Sequence, residues 1–434
     1  MVKKRTLRPL PVFDQKALPE FLQTHDFKEV HALTIWRYLA QHPEASFADI
    51  PGIPKTLRTQ LREHFVPFTT SVTTEQRSAD GTVKLLLQLQ DKHEIEAVIM
   101  RHKGRNTLCV SSQVGCQMAC TFCATGTLGI VADLCSGEIL EQLAHANRVA
   151  PIRNVVFMGM GEPLNNYDAV LAAIRAMTNV FGLAPKHLTL STVGVIHRIR
   201  QLSHDAPLVR LALSLHAPTQ EMRSEIVPTS KAYPLDKLMA AIDDHLAMQE
   251  GRLVMVEYCM LAGVNDSIDT AHKLGQLLRN RSVHVNLIPY NTTDVGAQFR
   301  SPSSEDIRAF HAVLRDPYNL KATIRENHGT DIDGACGQLA LKNKPDGDAV
   351  QRDIEDLGQR RPKSLQAKNE KRIPTPDSEN MDASSVPTSF FPSWLARGND
   401  FVDEHQQAIG LALLGAAITV FAIGIARGGR GRVN

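Results

Sequence analysis

The sequence predicts an α/β protein whose central part is an open, partial (β/α)6 barrel. Between about residues 106 and 340, short apolar runs typical of strands alternate with longer stretches of helical spacing, as in a parallel sheet covered by helices. There are six such runs, fewer than the eight strands of a closed barrel. Distinctive polar residues follow the predicted strands, which is where parallel barrels collect their chemistry.

The strands and helices of this barrel are predicted from their length and from the spacing of their apolar residues. Strands are predicted at residues 107–112, 154–158, 187–191, 209–214, 253–260 and 283–288. Helices are predicted at residues 136–148, 167–181, 235–249 and 267–279. Because the two patterns alternate regularly, we assign residues 91–340 to a single barrel domain.

Residues 1–90 are predicted to form a small helical accessory domain. Apolar residues recur at helical spacing over 27–39 and again over 54–65. Residues 82–89 and 95–100 alternate like short strands. No catalytic pattern stands out in the first 90 residues, so we interpret them as a module for substrate docking.

A polar linker and an apolar segment are predicted after the barrel. Residues 341–404 are rich in charge, proline and serine, which predicts a disordered linker. The nineteen residues 408–426 carry no charge, and as a helix they would span about 28 Å, close to the ~30 Å hydrocarbon core of a bilayer. We therefore predict a transmembrane helix at 405–427 and a short basic tail at 428–434. An apolar helix docked on the barrel is the alternative.

Composition and charge exclude some classes of function. The 434 residues are 43% hydrophobic and 22% charged, as in ordinary globular proteins. A net charge of +2 gives no general basic field, so a nucleic-acid partner would need local patches. Seven cysteines without a secreted pattern, and an N-terminus without a secretory signal, predict a reducing compartment. The cytoplasm or an organelle matrix or stroma fits the catalytic part.

Three cysteines form the most informative motif of the chain. Cys116, Cys120 and Cys123 have the spacing C-x3-C-x2-C directly after a predicted strand. Three thiolates fill only three corners of an iron–sulfur cube and leave one iron open for a ligand. The alternative is a structural zinc ion, for which Cys109 or Cys135 would supply the fourth ligand.

Small and polar residues follow four of the predicted strands. Gly161 and Glu162 lie in a Gly-Met-Gly-Glu-Pro turn, where glycine lets a ligand approach the backbone and a carboxylate can receive an ammonium group. Ser191 ends the next strand, Ser214 begins a Ser-Leu-His sequence, and Asn291 follows the sixth strand. Each alone is typical of a turn or cap, but four at successive strand ends predict a shared pocket.

An isolated thiol lies near the end of the barrel. Cys336 belongs to the sequence DIDGACGQL at residues 331–339, and Gly334 and Gly337 predict a flexible, exposed loop around it. An isolated cysteine is usually a small buried hydrophobe. A cysteine between glycines and acidic residues does not fit that description.

Together these motifs resemble the radical S-adenosylmethionine (SAM) adenosine-C2 RNA methyltransferases over about residues 27–339. The resemblance is carried, in family order, by GCQMACTFC at 115–123, the Gly-Glu-Pro turn, SLHAP at 214–218 and the Cys336 loop. It implies one four-iron, four-sulfur cluster on the three motif cysteines and two molecules of SAM per turnover. The implied SAM site consists of Gly161, Glu162, Ser191, Ser214, Leu215, His216 and Asn291.

The resemblance also implies the reaction, which is methylation of C2 of adenine in ribosomal RNA and, in some members, transfer RNA. One SAM methylates Cys336, a radical derived from a second SAM takes hydrogen from that methyl group, and the carbon radical adds to C2. Glu96 matches the family's base for the C2 proton. Cys109 matches the thiol that attacks Cys336, forms a transient disulfide and releases the RNA. A flavodoxin- or ferredoxin-like electron donor and a monomeric enzyme are further expectations.

Two alternative functions remain open at this point. A relative that methylates C8 of the same adenine would share most of these motifs, and a membrane-tethered RNA-binding protein with a structural zinc site is the non-enzyme alternative.

For several residues the local sequence does not decide a role. From local sequence alone, Glu96 is only a glutamate within a predicted strand, and Glu94 is an equally good candidate for the base. Cys135 and Cys259 are predicted to be structural thiols. Basic residues that could hold RNA phosphates near the barrel mouth are Lys186, Arg198, Arg200, Arg210 and Arg223.

Overall fold

Fourteen strands and eleven α-helices are assigned in the computed structural model, which describes residues 5–249, 251–293 and 298–339. The strands are β1 (Leu10–Pro11), β2 (Phe65–Val66), β3 (Ser71–Arg77), β4 (Val83–Gln88), β5 (Glu94–His102), β6 (Arg105–Cys109), β7 (Gln113–Gly115), β8 (Ile130–Asp133), β9 (Asn154–Phe157), β10 (Leu188–Thr192), β11 (Arg210–Ser214), β12 (Val254–Met260), β13 (Val283–Pro289) and β14 (Lys321–Ile324). The helices are α1 (Ala17–Thr24), α2 (Val30–Gln41), α3 (Lys55–His64), α4 (Ala124–Thr127), α5 (Ser136–Val149), α6 (Tyr167–Asn179), α7 (Ile196–Asp205), α8 (Gln220–Ile226), α9 (Leu235–Met248), α10 (Ile268–Leu278) and α11 (Ser304–Arg315).

Ten of these strands form one mixed sheet in the order β14-β13-β12-β11-β10-β9-β6-β5-β4-β3. The seven strands from β14 to β6 are parallel, and β5, β4 and β3 continue the sheet with antiparallel pairing. Helices fill the crossovers between the parallel strands, which is the α/β arrangement that the sequence predicts. Parallel strands bring all their carboxyl ends to one edge of the sheet, and the predicted pocket residues Glu162, Ser191, Ser214 and Asn291 lie at or just after these ends.

The prediction of six parallel strands was wrong by one. All six predicted strands are present, each within three residues of its predicted ends, and the four predicted barrel helices agree within two residues. The additional strand is β14, which pairs with β13 at the edge of the sheet. It is short and mostly exposed, so it lacks the apolar run by which a buried parallel strand is recognised.

The first 90 residues contribute strands to the same sheet, together with the predicted helices α2 and α3 and the additional helix α1. β3 and β4 lie at one end of the large sheet, and β4 pairs with β5 over six residue pairs. The domain boundary predicted at residue 90 therefore falls within a hairpin of this sheet, and it stays a prediction. One apolar core cluster contains Trp36 of α2, Leu108 of β6 and Phe310 of α11.

Two buried glutamates of α5 anchor the N-terminal segment to the barrel. Arg5 donates two hydrogen bonds to Glu138, at 2.7 and 2.8 Å. The backbone and hydroxyl groups of Thr69 and Thr70 donate to the Glu141 carboxylate at 2.7–3.2 Å. Both carboxylates are fully buried, so these hydrogen bonds offset a large desolvation cost.

The predicted linker, transmembrane helix and basic tail at residues 341–434 lie outside the described residues. Among the residues that are described, none of the helices has the length and apolar character needed to cross a bilayer. The membrane-spanning segment therefore stays a prediction.

The Glu141 carboxyl gives a testable pH dependence of stability. Burial raises the pKa of Glu141 to about 7, from 4.5 in an unperturbed chain, although the threonine hydrogen bonds oppose the shift. Between about pH 4.5 and 7 the folded protein binds more protons at this site than the unfolded chain, so its stability falls as pH rises through that window. We expect Glu141→Gln to remove up to about 3 kcal/mol of this decline in the free energy of unfolding.

The measurement is denaturant unfolding of both proteins at a series of pH values across this window. Glu44→Gln is the matched control because Glu44 is an exposed carboxylate. An unchanged pH dependence in Glu141→Gln would contradict the assignment.

Candidate active site

Two adjacent cavities lie at the carboxyl ends of the parallel strands. The one that we call the large cavity has about 930 Å³ of open space and is lined by Cys116, Glu162 and Ser214 among others. The one that we call the small cavity has about 600 Å³ and is lined by Cys109 and Val98 among others. Residues that line both cavities are Cys123, Thr125, Met158, Gly159, Arg325, Cys336 and Gly337. Cys336 therefore stands where the two cavities meet.

The three motif cysteines lie on the loop that follows β7. Gly115 ends β7 with φ +76°, and a side chain there would overlap the carbonyl oxygen of Gly129, so only glycine fits. Cys116 N–H donates to that carbonyl at 2.9 Å, and Cys123 N–H donates to Cys120 O at 3.1 Å. These bonds fold the loop so that all three thiols line the large cavity.

The donor set fits an iron–sulfur cluster. Burial raises the pKa of Cys116 to about 12 and also raises the pKa of Cys120 and of Cys123, and the neighbouring thiols add to these shifts for Cys116 and Cys120. With raised pKa values, the three thiols on this cavity are neutral by themselves, whereas a metal centre binds thiolates. The iron ions of a bound cluster would therefore supply the positive charge that stabilises these three sulfurs as thiolates.

Within the described parts of the chain, no fourth zinc ligand is found beside the three motif cysteines. The Cys135 thiol accepts a hydrogen bond from Glu138 N–H and caps α5, and Cys109 lines the small cavity. Across the described ranges, no group of three or more His, Cys, Asp or Glu side chains is arranged around one ion position. Tetrahedral zinc requires such convergence, whereas in a cube each thiolate binds its own iron.

The Gly-Glu-Pro turn after β9 is tightly built. Gly161 has φ +101°, and a Cβ atom there would lie 2.6 Å from Cβ of Gln113. Glu162 N–H donates to the Gln113 side chain at 2.8 Å. The Glu162 carboxylate accepts hydrogen bonds from Leu164 N–H at 3.0 Å and from Val193 N–H at 2.9 Å, and burial raises the pKa of Glu162 to about 7. The turn thus places this carboxyl at the wall of the large cavity.

The predicted polar residues of β10 and β11 are brought together. The hydroxyl oxygens of Ser191 and Ser214 are 3.1 Å apart, and both side chains line the large cavity with His216. His216 has a left-handed backbone with φ 60°, and its Nδ1 accepts a hydrogen bond from Cys259 N–H at 3.0 Å. Burial, helped by the charge of Arg223, lowers the pKa of His216 to about 3, so the ring is a neutral hydrogen-bonding group at ordinary pH.

Three predicted residues, Leu215, Asn291 and Glu96, lie beside the cavities rather than in their walls. Leu215 is fully buried, and neither it nor Asn291 is among the residues that line the cavities. Asn291 Nδ2 donates to the carbonyl oxygen of Cys336 at 3.2 Å. In this structure, Asn291 therefore supports the loop that carries Cys336.

Cys109 and Cys336 face the small cavity together. Burial raises the pKa of Cys109 to about 12, with a smaller contribution from Cys336. All seven cysteines are free thiols, so the predicted transient disulfide is not formed in this structure. The shared cavity brings the two predicted partners of that disulfide to one place.

Glu96 lies on β5 on the face that leads to the small cavity. Side chains alternate along a strand, so Glu96 shares its face with Val98 and Met100, which line that cavity. The Glu96 carboxylate is buried and lies 3.2 Å from Nζ of Lys84. The rival Glu94 shares this face but lies at the start of β5 and is only half-buried, so Glu96 is the nearer to the cavity along the strand.

Two charged residues of the site were missed in the sequence. Glu257 lies on β12 within the run Val-Met-Val-Glu-Tyr-Cys-Met and lines the large cavity. One of its oxygens accepts a hydrogen bond from Asn286 at 2.8 Å, and the other has no partner among the described residues. Arg325 follows β14 and lines both cavities. A single charge inside an apolar strand was the available signal for Glu257.

The suggestion that basic residues hold RNA at the barrel mouth was wrong for Arg223, Lys186 and Arg210, and it stays a prediction for Arg198 and Arg200. Arg223 is 0% exposed and cannot contact RNA. Lys186 and Arg210 lie at the amino ends of β10 and β11, whereas the cavities lie at the carboxyl ends of the strands. Arg198 lies over the Tyr167 ring, and Arg200 pairs with Asp244. The sequence shows which residues are charged, but it does not show whether they are buried or at which end of the parallel strands they lie.

Arg223 instead supports the loops at the ends of β10 and β11. Its guanidinium donates to the carbonyl oxygens of Val193, Leu215 and Ser214. Burial lowers the pKa of Arg223 to about 10, so the group remains charged at neutral pH. These bonds fix the backbone next to the predicted SAM residues.

We expect Arg223→Met to weaken SAM binding at least about tenfold, because each buried carbonyl left without a donor costs about 1–3 kcal/mol and the loops would shift. Equilibrium dialysis of SAM against reconstituted protein measures the affinity, and thermal unfolding measures stability. Arg200→Met, at an exposed arginine, is the control. An unchanged SAM affinity in Arg223→Met would contradict the supporting role.

Comparison with known proteins agrees with this site. Residues 110–274 match the family model of the radical SAM superfamily. The chain is 41% identical over 331 residues to a dual-specificity RNA methyltransferase from Myxococcus xanthus, covering 74% of this chain and 91% of the relative. A dual-specificity RNA methyltransferase from Halorhodospira halophila is also 41% identical, with 75% and 91% covered.

A solved structure supports the same assignment. The crystal structure of a radical SAM methyltransferase from Sphaerobacter thermophilus superposes with a TM-score of 0.71 at 37% identity, and the match covers 76% of this chain and 98% of that one. The family implies a four-iron, four-sulfur cluster and SAM as cofactors. The chain belongs to the dual-specificity RNA methyltransferases of the radical SAM superfamily.

Proposed function

We propose that this chain methylates C2 of adenine in ribosomal RNA, and in transfer RNA, through a methyl-cysteine at Cys336. The observation that carries the proposal is the position of Cys336, which lines both the cavity of the three motif cysteines and the cavity of Cys109. A carrier thiol must reach the methyl donor on one side and the base with the resolving thiol on the other. The dual-specificity names of the relatives support both RNA classes.

The residues of the large cavity are proposed to hold the cofactors. Cys116, Cys120 and Cys123 would bind the cluster, which when bound supplies the electron that cleaves SAM to a radical. Gly161 and Glu162 would receive the amino group of SAM, as expected of a buried carboxyl on a turn that approaches the ligand closely. The remaining SAM contacts are proposed for Ser191, Ser214 and His216 in the wall of this cavity and for Leu215 and Asn291 beside it.

The residues around the small cavity are proposed to complete the reaction. Cys336 carries the methyl group and becomes joined through its carbon to C2 of adenine. The adduct radical gives up one electron, which the cluster would accept when bound, and Glu96 takes the C2 proton, so that the aromatic ring is restored. The Cys109 sulfur then bonds to the Cys336 sulfur as the sulfur–carbon bond breaks, and the released methyl group takes up a proton. This exchange converts one thiol and one thioether into a disulfide and a methylated base, so its atoms balance.

Several finer features of the function belong to the proposal. Two SAM molecules per turnover follow from the use of SAM both as methyl donor and as radical source. A flavodoxin- or ferredoxin-like protein is proposed as electron donor, with the enzyme as a monomer. Methylation at C2 rather than C8 is supported by the family of the relatives.

We expect Cys109→Ala to accumulate protein covalently joined to RNA, because the sulfur–carbon bond can no longer be exchanged. Cys336→Ala should form neither the adduct nor methylated RNA. Denaturing gels detect the adduct, and mass spectrometry of digested RNA detects 2-methyladenosine. Cys135→Ser is the matched control, because the mechanism does not use Cys135 and a hydroxyl can still cap α5.

Free methylated RNA at the normal rate from Cys109→Ala would remove that residue from the mechanism. Finding 8-methyladenosine instead of 2-methyladenosine would replace the proposed regiochemistry with the C8 alternative. Oxygen-free purification tests the cofactor separately, since a brown protein with a paramagnetic reduced centre supports the cluster and a colourless zinc protein contradicts it.

The C-terminal segment at residues 405–427 is proposed as a membrane anchor for the catalytic part. The full chain should remain with membranes after carbonate extraction, whereas a chain that lacks residues 405–434 should be released. Identical release of both chains would dismiss the anchor.

A further inference from the structure

A lysine lies inside the sheet next to Glu96. Lys84 is on β4, and its Nζ is 3.2 Å from Oε1 of Glu96 on β5. The two side chains are only 4% and 1% exposed. The register places Lys84 opposite Val98 and Glu96 opposite Leu86, so the lysine reaches diagonally across the two strands, as a long side chain can. The ion pair is therefore shielded from water.

Stability alone does not explain this pair. Removing two ions from water costs about as much as their attraction returns, so a buried ion pair is weak support for stability. The neighbouring β4 positions are apolar and buried, namely Val83, Leu85, Leu86 and Leu87. A leucine at position 84 would continue this pattern without the desolvation cost, so the charge itself requires an explanation.

The same ammonium group reaches the loop that carries Cys336. Lys84 Nζ lies 3.5 Å from the carbonyl oxygen of Asp333, shortly before Cys336. Asp333 has a left-handed backbone with φ 50°, a conformation that persists only where the surroundings hold it. Lys84 therefore connects the proposed base with the loop of the methyl-carrying thiol.

We propose that Lys84 is a positioning residue that keeps Glu96 ionised on the cavity side of β5, beside the Cys336 loop. This inference rests on the proposed function of Glu96. In surroundings without water a carboxyl favours its neutral form, which cannot accept a proton, and an adjacent ammonium group favours the charged form. When the C2–H bond breaks, the proton passes to a Glu96 oxygen and the bonding electrons stay in the adenine ring system. Lys84 keeps its own protons throughout.

The experiment compares Lys84→Met, Glu96→Gln and the double variant in the reconstituted full-length enzyme with RNA. Lys103→Met is the matched control, because Lys103 is an exposed lysine in the next hairpin. Released 2-methyladenosine, the covalent protein–RNA adduct and methylation of the Cys336 peptide are measured. We expect Lys84→Met to keep Cys336 methylation, to accumulate adduct and to release product about 10- to 100-fold more slowly. This loss is smaller than the roughly 10²–10⁴-fold that a positioned base contributes, because the base itself is retained.

The double variant separates positioning from structure. If Lys84 acts through Glu96, the double variant releases product no more slowly than Glu96→Gln alone, because the two losses are not additive. Additive losses, or normal release from Lys84→Met, would overturn the proposal. Thermal unfolding is recorded for each variant, and Lys84→Arg, which retains the charge, should recover release, whereas an equal loss in a folded Lys84→Arg would also overturn it. A wild-type enzyme that makes no 2-methyladenosine would instead contradict the proposed function.

Discussion

The proposed chemistry of this protein depends on how the Cys336 loop is held over the ends of the parallel strands. A loop rich in glycine cannot fix a thiol by its own conformation, and the hydrogen bonds come from separate parts of the chain. Asp331 accepts hydrogen bonds from Ser78 and Ala79, and Gly329 N–H donates to Asp80. These contacts tie the loop to the turn between β3 and β4. Burial would raise the pKa of Asp80, but hydrogen bonds lower it well below its usual range, so the carboxylate is a charged acceptor at neutral pH.

The other side of the loop is tied to the cysteine motif and to the end of β13. Ala124 N–H donates to Gly337 O at 2.8 Å, and the Thr125 hydroxyl donates to Leu339 O at 2.7 Å. Gln338 donates to Thr292 O at 2.9 Å. The loop thus bridges the N-terminal hairpin and the loop of the three motif cysteines, and the Cys336 thiol, which lines both cavities, gains a fixed position from both. This explains why Cys336 lies at their junction rather than deep inside either one.

Most of the fold and much of the site could be predicted from local patterns. The strand–helix alternation, the three cysteines on one loop and the polar residues at strand ends all depend on neighbours in sequence, which a pattern shows directly. β14 was missed because a short exposed edge strand has no distinctive pattern. Arg223 was placed on the surface because charge usually marks exposure, whereas three backbone carbonyls surround it inside the fold. Such partners are distant in sequence, and only the tertiary structure brings them together.

The strands β3 and β4 change the interpretation of the first 90 residues, which the sequence suggested to be only a docking module. β4 contributes Lys84 to the buried pair with Glu96, and the turn before β4 contributes Ser78 and Asp80 to the support of the Cys336 loop. A segment that only docked RNA would not need to place an ammonium group inside the sheet. Because β4 and β5 are hydrogen-bonded neighbours, any shift of the N-terminal strands would move the proposed base and the thiol loop together. The N-terminal region is therefore a structural part of the active site, and its strands keep the groups around the small cavity in register.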